Sequence, residues 1–176
     1  HARHPRRTDG RATPPRSEPK LLERAMSIAG LSIGELATQC AVPVPKSSTR
    51  AKGFAGQLLE MVLGADAGSL PEPDFRLIGV ELKTIPVSAQ GKPLESTYVC
   101  TVDLEHDHNP SWEQSVVHHK LSRVLWLPII TAPGLAPGER RIGTAVLWSP
   151  TPHVHAQLRD DVTDLPALSV LGEGAN

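Results

Sequence analysis

The sequence predicts an α/β layered domain, a mixed sheet flanked by helices. Three observations carry that expectation. Apolar residues recur at helical spacing through the first third of the chain. Two strand-like runs, 77–87 and 124–130, follow with a helical stretch between them. Turn-forming Gly and Pro clusters separate the segments. A chain of 176 residues fits one domain and can bury a substantial core.

The elements can be justified in order. Residues 1–19 are rich in Arg, Pro and His and cannot bury apolar surface, so they read as a disordered basic leader. The remainder, residues 20–176, reads as the folded domain. A first helix is expected from about Pro19 to Ala29, with Gly30 as its stop. Ser32 and Glu35 have capping-box spacing, and Leu31 and Leu36 can form the accompanying staple, so a second helix starts there and ends before Pro43. Lys46–Lys52 reads as a polar loop. A third helix over about Gly53–Leu63 carries Phe54, Leu58, Met61 and Val62 at helical spacing, and Gly64, Gly68, Pro71 and Pro73 break the pattern beyond it.

Strands are expected at Leu77–Val87 and Thr97–Leu104, joined as an antiparallel hairpin through the turn-rich Ser88–Pro93. Ser111 and Gln114 mark a further helix running to about Ser122. Val124–Ile130 reads as a buried strand, Ala145–Trp148 as a short one, and about His153–Asp161 as a last amphipathic helix. Trp112, Trp126 and Trp148, all in apolar surroundings, are assigned to the core.

Composition narrows the function classes. No apolar run approaches the roughly 20 residues of a membrane span, and no secretory signal is visible. Cys40 and Cys100 form no CxxC spacing or disulfide framework, which suits a reducing cytoplasm. The formal net charge is −1, so a nucleic-acid role would have to rest on local residues. The pairs His106/His108 and His153/His155 lack a third ligand at zinc-site spacing, and adjacent His118 and His119 do not share a helix face. The first residue is not methionine and the last element has no clear stop, so the chain reads as a fragment at both ends.

The chemistry-bearing segment is Pro73-Asp74-Phe75-Arg76-Leu77-Ile78-Gly79-Val80-Glu81-Leu82-Lys83. On a strand, Glu81 and Lys83 project from one face and Val80 and Leu82 from the other. The charged face is then either solvated or a site. A turn at Gly79 could bring Asp74 beside Glu81. Two carboxylates at one point repel unless a cation lies between them, and hard oxygen donors suit Mg²⁺. A lysine beside such a cation can orient water and balance charge at phosphorus, which is what phosphodiester hydrolysis requires. A hairpin with a solvated Glu–Lys face would produce the same short pattern.

Longer strings carry a more specific resemblance. Lys52-Gly53-Phe54-Ala55-Gly56-Gln57-Leu58-Leu59-Glu60, Gly79-Val80-Glu81-Leu82-Lys83-Thr84-Ile85-Pro86-Val87, Gly91-Lys92-Pro93-Leu94-Glu95, His119-Lys120-Leu121, Arg123-Val124-Leu125-Trp126 and Leu147-Trp148-Ser149-Pro150 together resemble the MutH family of mismatch-repair nicking enzymes. The resemblance runs from about Leu21 to Gly172. It implies a restriction-endonuclease-like fold and a Mg²⁺-dependent endonuclease that nicks the unmethylated strand at hemimethylated GATC sites. It also implies the partners MutL and, indirectly, MutS, and double-stranded DNA as substrate.

Residue by residue, the resemblance places the catalytic set on Asp74, Glu81, Lys83 and Lys120. Metal ligands fall on Asp74, Glu81, the Leu82 carbonyl and Glu60, and DNA contacts on Lys52, Gly53 and Tyr98. Read without it, Glu60 could sit on a polar helix stripe, Lys120 could complement a helix C-terminus, and Tyr98 could pack across strands. The family continues beyond the equivalent of Gly172 with base-reading contacts, so the domain is expected to be incomplete at its C-terminal end. Two other readings remain: a type II restriction enzyme of the same core, and a catalytically inert DNA- or protein-binding module.

Overall fold

Helix α1, Glu18–Ile28, starts one residue before the expected proline because Ser17 caps it. The Ser17 side chain accepts the Lys20 N–H, and Pro19 occupies the first turn, where its missing N–H costs nothing. A computed structural model describes residues 10–51, 53–94, 116–154, 156–157 and 159–160. Packing begins ahead of the expected boundary at residue 20. Ala12 and Pro15 are buried, and the Ala12 N–H donates to the Met61 carbonyl at 3.0 Å.

Helix α2, Ile33–Gln39, opens with the expected capping box. The Ser32 hydroxyl accepts the Glu35 N–H, and the Glu35 carboxylate accepts the Ser32 N–H. The polar stretch that follows contains a single short helix, α3, Ser48–Ala51, which the loop reading did not anticipate. Helix α4, Phe54–Leu63, is bracketed by Gly53 and Gly64, both in the left-handed region. It buries Leu58, Leu59 and Leu63, each contributing about 1.5–3 kcal/mol.

Strand β1 spans Glu81–Val87 rather than starting at Leu77. Residues 75–80 form a tight turn instead, closed by Phe75 N–H to the Val80 carbonyl at 2.9 Å and by Gly79 at φ +65°, and Leu77 is exposed. The expected reversal after β1 is present as far as it is described. Ser88 N–H reaches the Lys92 carbonyl, and Leu94 N–H reaches the Pro86 carbonyl. The expected strand at 97–104, the Ser111–Gln114 cap, Cys100, Trp112, His106 and His108 lie outside the described residues.

Helix α5, Val116–Leu121, leads into β2, Val124–Ile130, which pairs in parallel with β1 in the register Glu81↔Val124 to Val87↔Ile130. Strands β3, Arg141–Ile142, and β4, Val146–Trp148, both pair antiparallel to β2, giving a mixed sheet of four strands among the described residues. Pro128, with no N–H to offer, falls between the two segments of β2 that meet β4 and β3. Residues 152–160 are helical wherever described, as expected. The architecture agrees with the predicted restriction-endonuclease-like α/β class.

The core joins α1, α2 and α4 to the sheet through Leu21, Ala25, Leu36, Leu59, Leu63, Val80, Leu82, Leu125 and Leu127. Trp126 and Trp148 are not core residues. They are half-buried, in edge-to-face contact with centroids 6.2 Å apart, and Trp126 lies beside Lys83 in the strand register. Their strands alternate, so Leu125 and Leu147 take the core-facing positions instead.

A sequence-cryptic member of the frame is Arg24, only 3% exposed on α1. Its Nη1 donates to the carbonyls of Thr13, at 2.6 Å, and Leu63, at 2.9 Å. It thereby ties the segment before α1 to the last turn of α4. A methyl group on Gly64 would meet Arg24 Nη1 at 2.8 Å, so glycine is required there by close approach as well as by φ +90°.

Candidate active site at the head of the first strand

Asp74 and Glu81 are seven residues apart, and the 75–80 turn brings them together. The backbone of Asp74 is held first: its carbonyl accepts the N–H groups of Asp66 and Ala67. Asp74 N–H then donates to Glu81 Oε2 at 3.2 Å, and Asp74 Oδ2 accepts the Leu82 N–H at 3.0 Å. The Glu81 carboxylate is thus oriented by the backbone of Asp74, and the Asp74 carboxylate by the backbone of Leu82, the residue after Glu81.

Glu81 is 2% exposed, so the charged face of β1 is not solvated. Two ammonium groups approach the same oxygen of this carboxylate: Lys120 Nζ lies 3.3 Å and Lys83 Nζ 3.6 Å from Glu81 Oε1. Lys120 comes from α5 and Lys83 from β1, so two elements distant in sequence supply them. Burial pushes the Glu81 carboxyl above its ordinary range, and the neighbouring Asp74 charge pushes it further. Lys120 and Lys83 pull it back.

Glu60 reaches the same region from α4. Its carboxyl is raised chiefly by burial and next by Asp74, with Arg11, Glu81 and Lys120 acting more weakly, Arg11 and Lys120 in the lowering direction. Glu60 therefore shares the electrostatic environment of the two acids. Among the described residues, no three His, Cys, Asp or Glu side chains stand close enough together to form a metal-binding group. The tight unit is the Asp74–Glu81 pair, with Glu60 beside it.

Of the residues the sequence singled out, Glu60, Asp74, Glu81, Lys83 and Lys120 converge here. The Leu82 backbone is part of the same unit through its N–H. Gly53, at φ +82°, opens α4, and a side chain there would meet nothing within 4 Å. Lys52 and Tyr98 lie outside the described residues. Sequence reasoning missed Arg123 as more than part of a motif: its carbonyl accepts the Glu81 N–H at 2.9 Å, and its guanidinium grips Glu18. No periodicity or spacing links residues 18 and 123, so no local signal could have found the pair.

The donor set is chemically legible. Three carboxylates face the ammonium groups of Lys83 and Lys120 and, at Glu60, the charge of Arg11, so the formal charges of the site balance. A divalent cation would make the site positive, which favours an approaching phosphodiester anion. The oxygen-only acids suit a hard cation.

The chain matches the family model described as "DNA mismatch repair enzyme MutH" over residues 63–161, a span that contains Asp74, Glu81, Lys83 and Lys120. It is 52% identical over 160 residues to the DNA mismatch repair protein MutH of Shewanella amazonensis, covering 91% of this chain and 71% of the relative. The corresponding protein of Shewanella baltica is 49% identical over 163 residues, covering 93% and 73%. That of Klebsiella pneumoniae is 48% identical over 162 residues, covering 92% and 70%.

Proposed function

Since the chain belongs to the MutH family of DNA mismatch repair endonucleases, we propose that it nicks the unmethylated strand of hemimethylated GATC sites, with Mg²⁺ as cofactor and the acid–lysine cluster as the catalytic centre. The carrying observation is the burial of Glu81 against Asp74 with two lysines on its outer oxygen. A buried carboxylate pair is costly in a merely structural role, because each charge disfavours the other.

Asp74 and Glu81 would hold Mg²⁺, with the Leu82 carbonyl and Glu60 in support. The cation, when bound, would acidify the attacking water and offset charge on the phosphate. Lys83, already directed at Glu81 Oε1, would orient the nucleophilic water. Lys120, entering from α5, would stabilise the charge that grows on the phosphate oxygens. Lys52, Gly53 and Tyr98 would contact the DNA flanking the scissile bond. Such phosphate contacts set register, whereas sequence is read at base edges.

The formal net charge of −1 suits an enzyme with weak affinity of its own for DNA that a partner delivers to its site. MutL is the proposed partner, itself engaged by MutS, in the cytoplasm. No helix among the described residues is long and apolar enough to cross a membrane.

A nicking assay on a plasmid carrying one hemimethylated GATC site tests the proposal, run with Mg²⁺ or EDTA and with or without MutL. Mg²⁺-dependent nicking of the unmethylated strand, stimulated by MutL, is expected. Cleavage of both strands would point to a restriction enzyme of the same core. Activity in EDTA, or from an Asp74→Ala or Glu81→Ala variant, would refute the site.

A further inference from the structure

The mechanism makes no use of Arg123, although three parts of the fold converge on it. It lies between the end of α5 at Leu121 and the start of β2 at Val124. Its Nε donates to Glu18 Oε1 at 2.9 Å and its Nη2 to Glu18 Oε2 at 2.8 Å, a two-pronged guanidinium–carboxylate pair. Its Nη1 donates to Ser149 Oγ at 3.3 Å. Glu18 is the first residue of α1, whose Leu21, Ala25 and Ile28 are buried in the core, and Ser149 directly follows β4.

Two short paths lead from Arg123 to the candidate site. Its backbone carbonyl accepts the Glu81 N–H at 2.9 Å, the first rung between β1 and β2. Three residues earlier, Lys120 places its Nζ 3.3 Å from Glu81 Oε1. The backbone position of Glu81 and the origin of the Lys120 side chain are therefore both keyed to one junction. A planar fork held at both prongs fixes direction as well as distance, which an ammonium could not do.

We propose that the Glu18–Arg123–Ser149 cluster is a positioning device for catalysis, fixing the α5–β2 junction so that Lys120 and Glu81 meet in register. The inference rests on the reading of Asp74, Glu81, Lys83 and Lys120 as the catalytic centre. Stability alone is a poor account of the cluster. The side chains of Glu18 and Arg123 are each 34% exposed, and ion pairs that open to water contribute little to folding. Orientation, by contrast, depends on geometry and survives partial exposure.

Single-turnover nicking by the full chain, with DNA affinity measured in parallel, tests the idea. Arg123→Ala and Glu18→Ala should each lower the nicking rate at saturating DNA by about 10- to 100-fold, the usual cost of losing a group that orients a catalytic ligand, without weakening DNA binding. The Glu18→Ala/Arg123→Ala double variant should lose no more than the worse single variant, because both remove one interaction. Arg123→Lys should remain impaired, since it keeps charge and loses the fork. Glu18→Gln keeps shape and one acceptor and should recover part of the rate. Normal rates with only a lowered Tm would overturn the proposal, as would losses that multiply in the double variant. Weakened DNA binding at a normal saturating rate would overturn it too, by making Arg123 a substrate contact. Glu81→Ala, run alongside, separates the two readings. Residual nicking there counts against the catalytic centre itself, whereas an inactive Glu81→Ala beside a normal Arg123→Ala removes the positioning role alone.

Discussion

Replacing Asp74 by Asn changes one charge and almost no volume, so it separates folding from chemistry. In the metal-free protein the Asp74 charge raises the carboxyls of Glu81 and Glu60, second in each case to burial. Like charges in a site of this kind repel by about 1–4 kcal/mol at an effective dielectric constant near 20. Lys83 and Lys120 offset part of that, leaving about 1–2 kcal/mol to be relieved. Against it, the Asp74 Oδ2 bond to the Leu82 N–H becomes a neutral one, costing about 0.5–1 kcal/mol. The variant should therefore be about as stable as the parent in EDTA, or up to about 1 kcal/mol more so, which is about 2–4 °C in Tm for a domain of this size. The parent should gain about 2.7 kcal/mol from Mg²⁺ at a hundred times its Kd, and the variant nothing. Thermal unfolding in EDTA and in Mg²⁺, paired with the nicking assay, measures both. A variant that still gains stability from Mg²⁺, or still nicks, would refute the assignment. So would a metal-free Tm more than a few degrees below that of the parent, because Asp74 would then be holding the fold rather than a cation.

Three further outcomes are expected. Lys83→Ala should lower the nicking rate by on the order of 10²-fold or more with little loss of DNA affinity; reduced affinity at a normal saturating rate would make Lys83 only a phosphate anchor. Gly64→Ala should destabilise the protein by about 2–4 kcal/mol, combining left-handed strain with displacement of Arg24 from two buried carbonyls; denaturant unfolding with an unchanged midpoint would show that the Arg24 tie is dispensable. The raised carboxyls of Glu81 and Glu60 set the sign of the pH dependence in EDTA. A group whose folded pKa exceeds its unfolded one contributes stability below the unfolded value and loses it as pH rises through the folded one. These two residues should make the metal-free protein less stable on that rise, and Glu81→Gln/Glu60→Gln should flatten the slope; a slope unchanged in the double variant would contradict their burial as charged groups.

Local rules legible in the chain decided a good deal. Ser32 and Glu35 specified a helix start through a reciprocal cap that needs no distant partner. Gly53 and Gly64 bracketed α4, and alternation placed Val80 and Leu82 opposite Glu81 and Lys83. The spacing of Asp74, Glu81 and Lys83 carried the candidate chemistry because a strand repeats every two residues and a glycine turn can reverse the chain.

Only the tertiary structure decided whether the charged face of β1 met water or a site. The alternation that puts Glu81 and Lys83 together is the same for a solvated hairpin. Burial of Glu81 follows instead from α4 packing on β1 and from Lys120 of α5 reaching its carboxylate, which brings Glu60 and Lys120 from 21 residues before and 39 after. The beginning of β1 likewise followed its partners. Residues 77–80 have strand-like composition, yet the Phe75–Val80 turn bonds consume the N–H and C=O groups that a longer strand would have offered β2. Trp126 and Trp148 went to the half-buried face because strand register, not hydrophobicity, assigns each residue its side. Arg24 and the Glu18–Arg123 pair lie furthest from what a sequence can disclose. A buried or bridging cation is defined by the carbonyls and carboxylates that happen to meet it, 39 and 105 residues away along the chain, and no local pattern encodes a meeting that only the folded chain creates.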